Sequence, residues 1–135
     1  MSAPVRPAGR GIDSQEQALA AVRAAREKHA EGVTVLDLRS LSTVADFFVV
    51  CTAGSARQIN ALKDHIEAAL RQRGCSVWHT EGTALAPTLA QDGGQPPQWV
   101  LMDCGDVVVH LLDQQARAFY RLEELWADAP RLPLA

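Results

Sequence analysis

Residues 99–112 read Trp-Val-Leu-Met-Asp-Cys-Gly-Asp-Val-Val-Val-His-Leu-Leu, and this stretch decides the fold. Two aliphatic and β-branched runs flank Cys104-Gly105, with Asp103 and Asp106 on either side. Glycine reaches the positive φ that a two-residue primed turn demands, so the pattern predicts a β-hairpin. With Cys104-Gly105 as the loop, Asp103 faces Asp106, Leu101 faces Val108 and Trp99 faces His110. Side chains alternate along a strand. Val100, Met102, Val107, Val109 and Leu111 therefore form one continuous apolar face, which must be buried. The other face carries Trp99, Leu101, Asp103, Asp106, Val108 and His110. An apolar centre edged by two carboxylates and an imidazole suits a surface that meets another molecule.

Upstream, residues 1–12 are rich in Pro, Gly and Ala and are expected to be a disordered tail. A helix is expected from Ser14, with Ser14 as N-cap and Gln17 as its box partner. Ala18, Leu19, Val22 and Ala25 recur at helical spacing. That stripe is thin, which places the helix at an edge, and Gly32 is read as its stop. Val33–Leu38 reads as a strand. Phe47-Phe48-Val49-Val50-Cys51-Thr52 is an unbroken apolar run, the mark of a strand covered on both faces. Gly54-Ser55 opens the longest helix, with Ser55 and Gln58 as a second capping box. Ile59, Leu62, Ile66, Ala69 and Leu70 form its stripe, and Gly74 is a left-handed stop.

Cys75–Thr80 is read as a further strand containing Trp78. Residues 81–97 hold three glycines and three prolines without periodicity and read as a long mobile loop. After the hairpin, Asp113 caps a last helix anchored by Phe119, Leu122 and Trp126 and ending before Pro130. The order is helix, two strands, helix, three strands, helix. It predicts one α/β layered (α+β) domain over 13–128 with a mixed five-stranded sheet, followed by a C-terminal tail at 129–135.

Composition narrows the function. The 135 residues are 47% hydrophobic and 21% charged, ordinary values for a single globular domain. Thirteen basic residues against sixteen acidic ones give a formal net charge of −3. That balance argues against a protein held to nucleic acid mainly by phosphate neutralisation, and it is compatible with a basic protein partner. Cys51, Cys75 and Cys104 show no Cys-x-x-Cys spacing and read as reduced thiols, mostly buried, in a cytoplasmic protein. No apolar run approaches a membrane span, and no apolar core follows Arg6 and Arg10 to make a secretory signal.

Asp103 and Asp106 beside a sheet, with Gly54-Ser55 at a helix start, raise the possibility of a metal-dependent nucleotidyltransferase. Turn formation alone selects aspartates at those positions, however, and capping alone explains Ser55. There is no third carboxylate in place and no phosphate loop with lysine, so no metal, cofactor or catalytic residue is expected. His29, His65, His79 and His110 lack metal-ligand spacing. His29 and His65 read as exposed helix residues. His110 reads as a partly buried strand residue satisfied by Trp99 or a neighbouring acid, or as a contact residue. Trp99 is a candidate interface anchor, because ionisable groups share its face. Arg117 and Tyr120, within a charged cluster with Arg121, Glu123 and Glu124, read as a solvated helix face that could line the same interface. A homodimeric scaffold using that face is a third class of function.

Five blocks, taken together, carry a resemblance. Trp99–His110 and Ala116–Trp126, with Asp37–Phe48 and Thr52–Gln58 upstream and the short Glu81-Gly82 pair, resemble the ribosomal silencing factor, or Iojap, family over about residues 14–128. The resemblance implies a nucleotidyltransferase-like fold without enzymatic activity. It implies a factor that docks on the large ribosomal subunit through its universally present protein fourteen, beside rRNA. There it blocks joining of the small subunit and lowers translation when nutrients are short. Trp99, Asp103, Asp106 and His110 would then form the contact face, with Arg117 and Tyr120 as neighbours. One departure is visible: Thr83–Gln98 is longer than the family's usual segment between the Glu-Gly pair and the tryptophan.

Overall fold

A computed structural model describes residues 13–82, 98–121, 124 and 126–134, with only the backbone at 119 and 120. The expected tail at 1–12, residues 83–97 of the loop expected over 81–97 and the anchor Leu122 lie outside the described residues, as do the side chains of Phe119 and Tyr120, whereas Glu81 and Gly82 are not loop but the end of a strand paired with Leu101 and Val100.

The elements run α1 (Ser14–Glu27), β1 (Glu31–Asp37), β2 (Phe47–Ala53), α2 (Ala56–Gln72), β3 (His79–Gly82), β4 (Trp99–Asp103), β5 (Val107–Asp113) and α3 (Gln114–Tyr120), in the order the sequence predicts. One five-stranded sheet has the order β1-β2-β5-β4-β3. Only β2 and β5 are parallel, and the other neighbours are antiparallel. The parallel pair needs a crossover, which α2 supplies. The Phe47 run is interior, flanked by β1 and β5, as its unbroken apolarity requires.

Helices α1 and α2 cover one sheet face. Val35, Phe47, Val49, Cys51, Val100, Met102, Val107, Val109 and Leu111 point at them, and all are fully buried. Each such aliphatic side chain contributes roughly 1.5–3 kcal/mol. The thin stripe of α1 does not place it at an edge. Ala18, Ala21 and Ala25 are fully buried within the central cluster. Alanines bury little area each, so their periodicity is faint, yet they let the helix approach the sheet and α2 closely.

The local signals of α1 differ from the expectation. Its N-cap is Asp13, which accepts from the Glu16 amide, and the Ser14 hydroxyl instead donates to Asp46 at 2.7 Å. Gln17 is no box partner: it is buried, and its amide donates to the Cys104 carbonyl at 3.1 Å. The helix stops at His29, which takes φ 64°, with the Ala30 amide returning to the Ala25 carbonyl. Gly32, with φ 55°, lies inside β1. Helix α2 matches the sequence more closely. Ser55 accepts from the Gln58 amide, the Gln58 side chain accepts from the Gly54 amide, and Gly74 closes the end at φ 83°.

The hairpin forms, but its register is two residues away from the expected one. Asp103 pairs with Val108, Leu101 with His110 and Trp99 with Leu112. Gly105, at φ 89°, is the first central residue of the turn, and the Cys104 amide donates to the Val107 carbonyl at 2.9 Å. A Cys104-Gly105 loop would put positive φ on cysteine as well. Shifting the turn to Gly105-Asp106 confines it to glycine. A shift of two preserves which side chains share a face. Cys75–Trp78 do not join the strand, which begins only at His79, and Trp78 is 52% exposed. Helix α3 ends at Tyr120, where Arg121 turns left-handed at φ 50°, so the expected anchor Trp126 lies beyond it. In the segment set apart as a tail, the Leu132 amide donates to Val35 and the Pro130 carbonyl accepts from Asp37, so residues 130–132 pair with β1.

Candidate docking face

The second sheet face is assembled from alternate residues of each strand. Register aligns Glu81, Leu101, His110, Val50 and Thr34 in one row across the sheet. The next row holds His79, Asp103, Val108, Phe48 and Leu36. Helix α3 packs its Ala116 on Val50 and Leu112, and Trp126 with Ala129 packs on Leu36 and Leu38.

Trp99 and His110 are brought together. They are diagonal neighbours rather than directly opposed, and the indole N–H donates to His110 Nδ1 at 3.3 Å with the ring planes 14° apart. Trp99 is half-buried, resting against the Leu112 and Ala116 cluster. His110 is only 3% exposed, and Phe48 meets its ring edge-on at 4.6 Å. A neutral imidazole has one acceptor and one donor nitrogen. With Nδ1 accepting from Trp99, the proton sits on Nε2, and that buried atom has no hydrogen-bond partner among the described residues. Burial pushes the His110 pKa down to about 4. The ring is thus neutral at physiological pH, and its partner is the indole, not a carboxylate.

The other candidates lie apart. Asp103 accepts from the Gly105 amide at 3.0 Å, which ties its carboxylate to the turn. Asp106 is a turn residue whose carbonyl receives the amides of Asp46 and Phe47. Both are half-buried at the turn end, four residues along the strand from Trp99, or roughly 13 Å. Arg117 lies at the end of the strands opposite that turn, over the row of Trp99, Leu112 and Thr52, and is no solvated surface residue. Its guanidinium donates to the Gly32 carbonyl at 2.6 Å, to Thr52 Oγ1 at 2.7 Å and to Thr34 Oγ1 at 3.3 Å. The space beside Gly32 is filled by that guanidinium, since a Cβ there would stand 2.9 Å from it. Arg117 therefore clamps α3 to β1 and β2. Tyr120 lies in α3, and its side chain is outside the described part.

Sequence reasoning missed Phe48, which touches both His110 and, at 5.8 Å, Trp126. The alternation within residues 47–53 carried that signal, because Phe48, Val50 and Thr52 share one face. It also missed the second role of Asp113. One carboxylate oxygen caps Ala116 at 2.7 Å, and the other accepts from the Gln98 amide at 3.1 Å, extending the β4–β5 ribbon.

Among the described residues, no group of three His, Cys, Asp or Glu side chains is placed to hold a metal. None of the described helices is long and apolar enough to cross a membrane. The thiols of Cys51 and Cys104 are pushed up to about 12 by burial.

A sheet with one face given to its own helices, and a half-buried tryptophan–histidine pair on the other, defines a mixed-sheet α+β domain. The chain belongs to the ribosomal silencing factor family, whose model, described as "Ribosomal silencing factor during starvation", matches residues 12–135. It is 36% identical over 123 residues to the ribosomal silencing factor RsfS of Halalkalibacterium halodurans, covering 91% of this chain and 96% of that one. Against chloroplastic Iojap of Zea mays the identity is 34% over 117 residues, covering 87% of this chain and 46% of the relative. A crystal structure from Bacillus halodurans matches with a TM-score of 0.70 at 34% identity, covering 90% of this chain and all of that one. Another, from Chromobacterium violaceum, gives 0.72 at 28% identity over 86% and 88% of the two chains. The Halalkalibacterium halodurans relative is named for silencing rather than for an enzymatic activity.

Proposed function

We propose that this protein binds the large ribosomal subunit in the cytoplasm, through its universally present protein fourteen and beside rRNA, and there sterically prevents the small subunit from joining, without catalysing a reaction. The observation that carries the reading is Trp99. It is half-buried on the face opposite α1 and α2 and is oriented by His110 beneath it. A rigid, partly exposed indole with apolar neighbours is the residue type that anchors interfaces. Asp103 and Asp106 stand at the turn end of the same ribbon and suit a basic protein.

Truncation at Trp99 tests this. Trp99→Ala is expected to weaken co-sedimentation with large subunits by at least tenfold, and small subunits are expected to rejoin in its presence. Far-UV circular dichroism checks that the variant is folded. Undiminished co-sedimentation by a folded Trp99→Ala protein refutes the anchor. A wild type that pellets with neither subunit refutes the function. Light scattering addresses the homodimer reading, in which Trp99→Ala would convert a dimer to a monomer.

A further inference from the structure

Among the described residues, the exposed large hydrophobic side chains are Leu41, Val44 and Trp78, at 45%, 81% and 52%. All three lie at one end of the sheet. The register sets Asp37 beside Phe47, Phe47 beside Val107, and His79 beside Asp103, so the β1–β2 loop, the hairpin turn and the entry to β3 meet at that end.

Hydrogen bonds tie the three positions together. The Leu41 and Ser42 amides donate to the Leu38 carbonyl, the Val44 amide to Ser42 Oγ, and the Leu38 amide to the Asp46 carbonyl. The Asp46 amide in turn donates to the Asp106 carbonyl in the hairpin turn at 2.7 Å. Across that turn, the Trp78 amide donates to the Asp103 carbonyl at 2.8 Å, and its indole lies 3.2 Å from where a Cβ on Gly105 would stand. The docking face adjoins this end, because its last row holds His79, Asp103 and Leu36. The Ser14 hydroxyl on Asp46 and the Pro130 carbonyl on Asp37 bring two more segments to the same place. Residues 13–16, 37–46, 73–79, 103–106 and 128–131 together carry seven carboxylates and three guanidiniums.

We propose that this end of the sheet is a second contact for a basic protein, added to the Trp99 face. It rests on the docking reading above and deepens it by giving the sign of the partner surface met here. Exposed apolar groups rimmed by polar ones mark protein contacts. The excess of carboxylates selects a cationic partner, since complementary potentials favour association and like charges oppose it. A second copy would bring the same acidic end against itself, and the phosphates of RNA would be repelled.

Val44 is the position to test, because a side chain so exposed can be changed without disturbing the core. Val44→Lys sets a cation before a cationic partner and is expected to weaken co-sedimentation with purified large ribosomal subunits at least tenfold. Val44→Asp removes the same apolar contact but keeps the sign, so its loss is expected to be severalfold smaller. The gap between the two should narrow as salt rises from about 0.05 to about 0.2 M, since exposed charges are screened. Trp78→Ala, checked for folding by circular dichroism, is expected to lose affinity at least tenfold. Wild-type affinity in both Val44 variants overturns the second contact, and if Trp99→Ala still loses binding, the docking reading survives alone. Tighter binding by Val44→Lys than by Val44→Asp assigns this end to RNA. A dimer in light scattering that Val44→Lys converts to a monomer assigns it to a second copy. Either result overturns the proposal. A wild type that pellets with neither subunit removes the docking reading as well.

Discussion

Acidification should unfold this protein earlier than its carboxylates alone would dictate, and His110 is the reason. Its ordinary pKa is 6.5, and burial pushes the folded value down to about 4. The unfolded chain therefore takes up a proton between those values that the folded chain refuses. Stability rises with pH wherever the unfolded state binds more protons, so this contribution is fully present above 6.5 and is lost as pH falls towards 4. At about 1.4 kcal/mol per pH unit, the loss is roughly 2 kcal/mol by pH 5 and roughly 3 by pH 4. Against the 5–15 kcal/mol typical of a domain, that is a large fraction. Urea denaturation followed by circular dichroism at intervals from pH 7.5 to 4 measures it. His110→Asn keeps an amide oxygen near the position of Nδ1 for the Trp99 indole and removes the titration. It is less stable at neutral pH, but its stability should change much less over the window. Asp37, held below its ordinary value mainly by its hydrogen bond to Arg39, acts below that window and in both proteins alike. Parallel pH profiles for wild type and His110→Asn would falsify the assignment of a buried neutral imidazole.

Two further outcomes follow from the packing. Arg117→Leu should cost about 1–3 kcal/mol in urea titrations, since it strips hydrogen bonds from the Gly32 carbonyl and the buried Thr52 hydroxyl; adding Thr52→Val should recover part of the loss, and strictly additive costs would contradict the clamp. Native protein mixed with a thiol-reactive disulfide should release one equivalent, from half-buried Cys75. Cys51 and Cys104, held as thiols with pKa values pushed up to about 12, should react only on unfolding, and rapid release of all three would refute their burial.

What the sequence determined by itself was whatever rests on near-neighbour chemistry. The element order, the Ser55 and Asp113 caps, the Gly74 stop and the alternation that separates the hairpin faces all depend on contacts within a few residues. Tertiary structure decided the rest. The hairpin register turned on which single residue could hold positive φ, and Gly105 took that position. Alanine-rich α1 entered the core because close approach depends on the partner surface, which no periodicity reports. Of the six candidate site residues, Trp99 and His110 came together because the ladder makes them diagonal neighbours. Arg117 became a clamp because Gly32, Thr34 and Thr52, more than sixty residues away in sequence, end beneath it. Such long-range encounters are set by the global packing minimum, to which no local pattern in the chain has access.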